Sequence, residues 1–366
     1  MKKLIIASAI AAVPTMAFAD ISHYGFIKGS FLKADQALDS DHKAFAANDE
    51  TGATGFDKKG RTQFSFTQSR WGIKASHDKI SGKFEFDLDG DSNNENGDVK
   101  SSTGIIRVRQ ANMSYKIGQN GKLTFGKKWT KFMGILPHTY SFTKVNFFAG
   151  NTGFLVDGAD YTHTMGDLSF AIEMSNLGEG DVAKASSPVM TANVDYKNDM
   201  FRAGFAYTKA SLAHKEVLAT AGDVDSDAMG MKVYGSFTGV KNLNVGAEYY
   251  TGENLGSIQT GALASALAAD AKKRKETGYF VTAKYMLGDY SVFGGYGTSE
   301  MDKATEATVA KKTANTLTHF GLDAKLEKNL TAFFQYEGFD TTWRTTSTTT
   351  NSTKASSMEV GLVYKF

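Results

Sequence analysis

The chain has 366 residues, of which 41 are Lys or Arg, 39 are Asp or Glu and none is Cys. A net charge so close to zero gives no reason to expect a nucleic-acid partner, and the lack of cysteine excludes disulfides. Beyond the first 19 residues, no apolar run approaches the roughly 18 residues that a membrane-spanning helix needs. Two classes remain: a secreted all-β protein with a dry core, and a membrane β-barrel whose strands are apolar on one face.

The first 19 residues have the pattern of a secretory signal. Two lysines precede an apolar run over residues 4–13, and an Ala-Phe-Ala sequence ends at Ala19. The run is too short to span a bilayer, so we predict cleavage of residues 1–19 and a single domain over residues 20–366. Removal of the two lysines leaves 39 basic and 39 acidic residues in the exported protein.

Segments that alternate apolar and polar residues fill most of the remaining chain. In GKFEFDLD, residues 82–89, Phe84, Phe86 and Leu88 lie on one face of a strand and charged residues lie on the other. Gly, Asn, Asp and Ser separate such segments, as expected of turns. We predict sixteen strands, at residues 23–32, 64–77, 82–89, 105–117, 122–130, 153–163, 167–175, 189–197, 201–209, 229–238, 243–251, 278–287, 290–298, 316–326, 330–339 and 358–366.

The links between these strands alternate in length. Eight are long, and seven are short, near Asp78, Gly118, Met165, Asn198, Lys241, Gly288 and Lys328. An even strand number with both ends on the short-turn side is typical of outer-membrane barrels, which have short periplasmic turns and long external loops. We therefore predict an all-β fold, a 16-stranded transmembrane antiparallel β-barrel, surrounded by outer-membrane lipid and lipopolysaccharide.

Aromatic residues support this location. Tyr196, Phe201, Tyr285, Tyr290 and Tyr364 all lie beside short turns or at the chain end, where a barrel has its periplasmic aromatic girdle. The alternative is that they are core aromatics of a soluble sandwich. Charged residues alternate with them too regularly for the inside of a dry core.

One stretch, residues 127–150, breaks the alternation. Its charged and titratable residues are Lys127, Lys128, Lys131, His138 and Lys144, and it contains many aromatic residues but no acid. The acid-free interval is 58 residues long, from Val99 to Val156. Few charges and many aromatic side chains suit an internal loop better than an external one.

Four short motifs resemble the trimeric general-diffusion porins of Gram-negative outer membranes. They are SRWGIKAS at 69–76, RQANMSY at 109–115, KLTFGKKWTKF at 122–132 and VYKF at 363–366. The resemblance implies a homotrimer in which the third external loop, here residues 127–150, folds into the lumen. It also implies that Arg70 and Arg109 are wall arginines and that Lys28 is a wall lysine. The family often has acids in this loop, whereas this chain has none before Asp157.

Charged residues on barrel strands are expected to face the lumen, because Lys or Arg in the middle of the lipid costs roughly 2–4 kcal/mol. The predicted pore lining and constriction consist of Lys28, Arg70, Lys74, Glu85, Asp87, Arg107, Arg109, Lys128, Lys131, His138 and Lys144. Further lumen candidates are Glu173, Arg202, Glu248, Lys284, Asp323, Glu337, Glu359 and Lys365.

The strand at 105–117 does not keep one polar face if Arg107 and Arg109 point inwards. Strict alternation then affects five residues: it sends Met113 and Tyr115 inwards and Gln110, Asn112 and Ser114 outwards. Either a bulge shifts the register or the strand faces another subunit. The trimer contact of the resembled family lies on its early strands, which favours the subunit contact.

These features predict a water-filled channel for passive diffusion of ions and small hydrophilic solutes. No catalytic motif, cofactor site or metal-ligand spacing is recognisable, so we predict that the protein is not an enzyme. The acid-free loop predicts weak anion preference or no selectivity.

Two alternative functions stay open. One is a substrate-specific channel, for example for oligosaccharides that stack on Phe132, Tyr140, Phe142, Phe147 and Phe148. Packing of these rings against the barrel wall is the simpler explanation of them. The other is a surface receptor or adhesin that uses the loop at 252–277.

Overall fold

The computed structural model describes residues 20–34, 61–66, 68–89, 105–140, 149–176, 183–185, 187–214, 225–258, 275–303, 311–344 and 350–366. The predicted signal at 1–19 lies outside these ranges, as does Lys144. No helix in the described ranges is long and apolar enough to cross a membrane.

Eighteen strand segments form one antiparallel sheet. They are β1 (Asp20–Ala34), β2 (Arg61–Ser65), β3 (Arg70–His77), β4 (Ile80–Asp89), β5 (Ile105–Ile117), β6 (Gly121–Trp129), β7 (Leu155–Met165), β8 (Leu168–Ser175), β9 (Ala183–Ala185), β10 (Val189–Lys197), β11 (Phe201–His214), β12 (Asp225–Phe237), β13 (Leu243–Glu253), β14 (Lys275–Leu287), β15 (Tyr290–Lys303), β16 (Lys311–Glu327), β17 (Leu330–Arg344) and β18 (Thr350–Lys365). A short 3₁₀ turn, Leu255–Ile258, follows β13.

The segments make sixteen barrel strands. Both β2 and β3 pair with β1, so they are two halves of one strand that is interrupted between Ser65 and Arg70. In the same way, β9 and β10 both pair with β11. The first and last strands close the barrel along a register that runs from Phe26 opposite Lys365 to Ala34 opposite Ser357. The closed 16-stranded antiparallel barrel confirms the predicted fold.

The outer face is apolar and the inner face is polar. In β18, Val360 is 51% exposed and Glu359 only 4%, because the first points away from the barrel and the second into it. Exposed aromatic residues lie beside the short turns, and Tyr196 stacks on Phe201 with ring centroids 5.2 Å apart. This arrangement matches the predicted girdle.

The facing of β5 corrects the sequence-based preference for a subunit contact. The β4–β5 register shifts between Glu85, which pairs with Gln110, and Phe86, which pairs with Val108, so Arg109 forms a bulge. Consequently Arg109 and Gln110 are both buried, and alternation resumes in the opposite phase. Outward-facing residues are Met113 and Tyr115, and inward-facing polar ones are Gln110, Asn112 and Ser114. The bulge explains the pattern without a partner subunit.

Part of the barrel interior is filled by apolar side chains. Tyr250 of β13 packs with Val189 and Ala228 of neighbouring strands and with Leu255 and Ile258 of the 3₁₀ turn. All five residues are almost completely buried. The chain after β13 therefore turns inwards, and the β10–β13 side of the lumen has a hydrophobic core of its own.

Candidate functional site: the pore and its third loop

The described residues of the third loop, which follows β6, lie inside the barrel. They form two arms, 130–140 and 149–154. The first arm reaches inward-facing side chains of β11 to β17: Gly134 O accepts from Arg202, Ile135 N donates to Glu248, and Tyr140 N donates to Gln335 at 2.7 Å. The loop therefore crosses the lumen and narrows it from one side.

The lysines at the base of the loop are paired with wall acids. Lys128 Nζ lies 3.1 Å from Asp160 and forms a short hydrogen bond with Glu173. Lys131 Nζ lies 3.1 Å from Asp160, and its amide donates to Glu173. The loop contains no acid, but the acids of β7 and β8 neutralise these cations. Its positive charge is thus largely cancelled where it enters the pore.

A fully buried ion pair holds both arms. The Lys232 ammonium lies 2.6 Å from Glu248, and both side chains are 0% exposed. Glu248 accepts from the amide of Ile135 in the first arm, while Lys232 donates to the carbonyl of Thr152 in the second. The Phe132 ring covers Lys232 at 4.8 Å from its centroid. Buried charges are stable only when paired and fully hydrogen-bonded, so this pair and the docked loop depend on each other.

The second arm approaches the backbone of the wall closely. Gly150 has a φ of +82°, and a Cβ there would lie 2.1 Å from Tyr279 O of β14. Its amide donates to Ser299 Oγ at 2.8 Å. Only glycine combines this conformation with this proximity. The arm is therefore held on β14 and β15 by backbone shape as well as by hydrogen bonds.

The far end of the first arm carries His138 and Tyr140. His138 Nε2 lies 3.1 Å from both Asp323 Oδ2 and Lys284 Nζ. Burial and the Lys284 ammonium lower the pKa of His138 to about 4, so its imidazole is neutral at pH 7. Tyr140 stacks on Phe333 with centroids 4.4 Å apart. These contacts fix the loop end against β14, β16 and β17.

Lys28 joins the loop to the region where β1 and β18 pair and close the barrel. Its ammonium donates to Tyr140 O at 2.6 Å and lies 2.7 Å from Glu359 of β18. The predicted wall lysine therefore faces inwards, but it is buried and paired. Its role in the structure is to hold the loop.

A separate sector of the wall, on β3, β4 and β5, has an excess of positive charge. We call seven of its charged residues the basic wall: Arg70, Lys74, Lys83, Arg107, Arg109, Glu85 and Asp87; the same strands also contain Asp89 and Lys116, whose charges cancel in the count. Five cations thus face two acids. Arg109 bridges both acids, with Nε 3.0 Å from Glu85 and Nη1 3.0 Å from Asp87, and Arg107 bonds to Asp87 at 2.9 Å.

Aromatic rings support the remaining cations of the basic wall. The guanidinium of Arg70 lies 5.4 Å from the ring centroid of Phe26. Lys74 and Lys83 lie 4.7 and 5.3 Å from that of Tyr24, whose hydroxyl donates to Glu85. Lys83 Nζ also lies 3.5 Å from Glu85. For Arg70 and Lys74, the ring contact holds the cation in place without neutralising it. The wall keeps a formal surplus of three positive charges.

Sequence reasoning placed most of these residues correctly on the inner face but missed several partners. Lys83 shares its strand face with Glu85, so its alternation could have identified it. The rule for charged strand residues would place Lys232 of β12 inwards. Its pairing under the third loop, like the roles of Tyr24 and Gln335, depends on contacts with distant parts of the chain.

Comparisons with known proteins agree with the barrel. Residues 7–366 match the model of the Gram-negative porin family. A search of curated proteins finds no match. The outer membrane channel DcaP of Acinetobacter baumannii superposes with a TM-score of 0.72 at 16% identity, covering 96% of this chain and 98% of that one.

Two further solved structures are similar. The anion-selective porin from Comamonas acidovorans has a TM-score of 0.62 at 14% identity, with 95% of this chain and 100% of that one covered. The trimer form of OmpT from Vibrio cholerae has a TM-score of 0.59 at 16% identity, with 95% and 100% covered. At such identities these matches establish the fold, whereas the family model covers nearly the whole chain. The chain is an outer-membrane channel for passive diffusion, and it belongs to the Gram-negative porin family.

Proposed function

We propose that this channel weakly prefers small anions. The observation that carries the proposal is the basic wall, where five cations face two acids along β3, β4 and β5. Charged rings on a pore wall raise the local concentration of counter-ions and so bias conduction. The described lysines at the base of the third loop, Lys128 and Lys131, add little to this bias because they are paired with acids. The selectivity thus originates in the wall opposite the side on which the loop docks.

Reversal potentials in a KCl gradient test this proposal. Replacing both Arg70 and Lys74 by Gln removes two of the three surplus charges. A charge about 6 Å from a passing ion contributes roughly 0.7 kcal/mol in water, or about threefold in relative permeability before screening. We therefore expect the chloride-to-potassium permeability ratio to fall at least twofold, and more at low salt.

The matched control is Lys209→Gln. Lys209 pairs with Asp227 at 3.2 Å on the outer face, so its loss changes net charge without changing the pore wall. The ratio should stay at the wild-type value in this variant. Clear cation preference of the wild-type channel would refute the proposal.

A homotrimer in outer-membrane lipid is the proposed assembly. The apolar outer face supports contact with lipid or with another subunit, and one similar porin is described as a trimer. Mass photometry of the detergent-purified protein should give three times the chain mass. A monomer mass in native lipid nanodiscs would contradict this assembly.

Neither alternative function is favoured by a specific contact. Of the aromatic residues considered for a sugar track, Phe132 is buried against Lys232 and Tyr140 is stacked on the wall. Phe142, Phe147 and Phe148 lie outside the described residues. Most of the loop at 252–277, which was considered for a receptor role, also lies outside the described residues.

A further inference from the structure

A cavity of about 500 Å³ lies between the first arm of the third loop and the barrel wall. Two of its lining residues show where the cavity lies along the axis of the pore. Arg202 is the second residue of β11, directly after a short turn, and Lys284 lies near the end of β14, before the next one. The cavity therefore opens on the periplasmic side of the loop. Its volume is in the range of small-molecule sites.

One half of the cavity is apolar. Met133, Ile135, Leu136 and Pro137 of the loop line it together. Leu136 is 49% exposed although it lies inside a water-filled channel. An apolar side chain in this position gains free energy when a ligand covers it. Docking of the loop does not require Leu136 to be exposed, because other residues hold the loop in place.

The other half of the cavity is polar and contains two cations, each of which is paired with an acid outside the lining. Arg202 and Lys284 line it, and none of the described lining residues is acidic. An ammonium has three donors, and Lys284 uses one on Asp323 and one on His138. Arg202 is held by Asp195 through Nε and Nη2 and by Gly134 O through Nη1. Lys284 thus keeps one N–H donor for a ligand, while the charge of Arg202 is balanced by Asp195.

We propose that this cavity binds amphiphilic organic anions, with a carboxylate at Lys284 and a short apolar body against Leu136 and Met133. This proposal deepens the proposed anion preference by naming a class of preferred solute. It rests on different residues, because the cavity lies on the loop and on β11 to β14, whereas the basic wall lies on β3 to β5.

Single-channel recording with n-alkyl carboxylates from acetate to hexanoate tests the site. The acids are added at constant ionic strength to the periplasmic side of the reconstituted full-length protein. Each added methylene that contacts the apolar half should lower the half-blocking concentration about two- to fourfold. The matched n-alkylammonium series should block much less, because an ammonium group cannot accept a hydrogen bond from Lys284.

Variants identify the site. Leu136→Ser should flatten the chain-length dependence, and Lys284→Gln should weaken hexanoate block at least fivefold, while Lys284→Arg retains block. Lys209→Gln should match the wild type. A half-blocking concentration that is independent of chain length, or unchanged in Leu136→Ser, would overturn the proposal.

The two proposals can fail separately. Arg70→Gln should shift the reversal potential and leave hexanoate block within twofold. Chain-length-dependent block in a channel without chloride preference would support the cavity and refute the role of the basic wall. The opposite result would refute the cavity alone.

Discussion

At the scale of the residue, His138 has two possible partners for one nitrogen atom. In the neutral tautomer with its proton on Nδ1, Nε2 accepts a hydrogen bond from Lys284. When the ring is protonated, Nε2 must donate instead, and only Asp323 can accept. Lys284 then loses an acceptor and meets a like charge. Protonation of this ring therefore rearranges the contact that fixes the loop end.

This arrangement predicts an acid-sensitive third loop. The pKa of His138 is lowered from 6.5 to about 4 when the loop is docked, so the released loop binds a proton at higher pH than the docked one. Docking is most stable above about pH 6.5 and weakens as the pH falls towards 4. Single-channel recordings should show more frequent current fluctuations at pH 4 than at pH 7.

His138→Gln is the informative variant, since an amide can donate to Asp323 and accept from Lys284 without titrating. Its fluctuations should change much less over the same pH range. An acid response as large as that of the wild type would show that other groups cause it.

At the scale of the element, the third loop depends on the Lys232–Glu248 pair more than on its own sequence. Lys232→Met leaves Glu248 buried without its partner, at a cost of roughly 3–5 kcal/mol. Hydrogen exchange of the amides at 132–135 and 150–152 should accelerate strongly, because both arms bond to this pair. Lys209→Gln should leave these amides as slow as in the wild type. Unchanged exchange in Lys232→Met would mean that the loop is held elsewhere.

The bulge in β5 makes a second prediction at this scale. The chain has no cysteine, so single cysteines can be introduced at neighbouring positions. A membrane-impermeant charged thiol reagent should label Ser114→Cys, which faces the lumen. It should not label Met113→Cys in lipid, because that side chain faces outwards. Labelling of Met113→Cys but not of Ser114→Cys would contradict the bulge, because it would mean that strict alternation continues from Arg109.

Prediction from sequence succeeds for the strands but fails where contacts between residues far apart in the chain determine the structure. Alternation identifies all sixteen strands because each strand meets apolar surroundings on one side and water on the other. It shows that the strand at 105–117 breaks phase, but it cannot decide between a bulge and a subunit contact, because that depends on the pairing with β4. Nor can it find Lys232 beneath the third loop. The acid-free stretch suggested an internal segment, but sequence alone could not show that Lys128 and Lys131 pair with Asp160 and Glu173, which follow it in the chain.

At the scale of the whole molecule, the lumen is asymmetric. The third loop docks on β11 to β17 and β1, and apolar side chains fill the β10–β13 side. The basic wall on β3 to β5 is a different sector of the same barrel. Solutes therefore pass between a sector that is packed with the third loop and apolar side chains and a sector that is lined by charged side chains.

The filled half of the lumen has a consequence for mutational tolerance. Inward-facing positions such as Tyr250 and Leu255 belong to a protein core, so substitutions there should impair assembly before they alter permeation. An inward-facing position such as Lys74, whose side chain is exposed and contacts the Tyr24 ring, can change with little loss of stability. Variation that adapts this channel to new solutes should therefore accumulate in one sector of the barrel, while the facing sector stays constant.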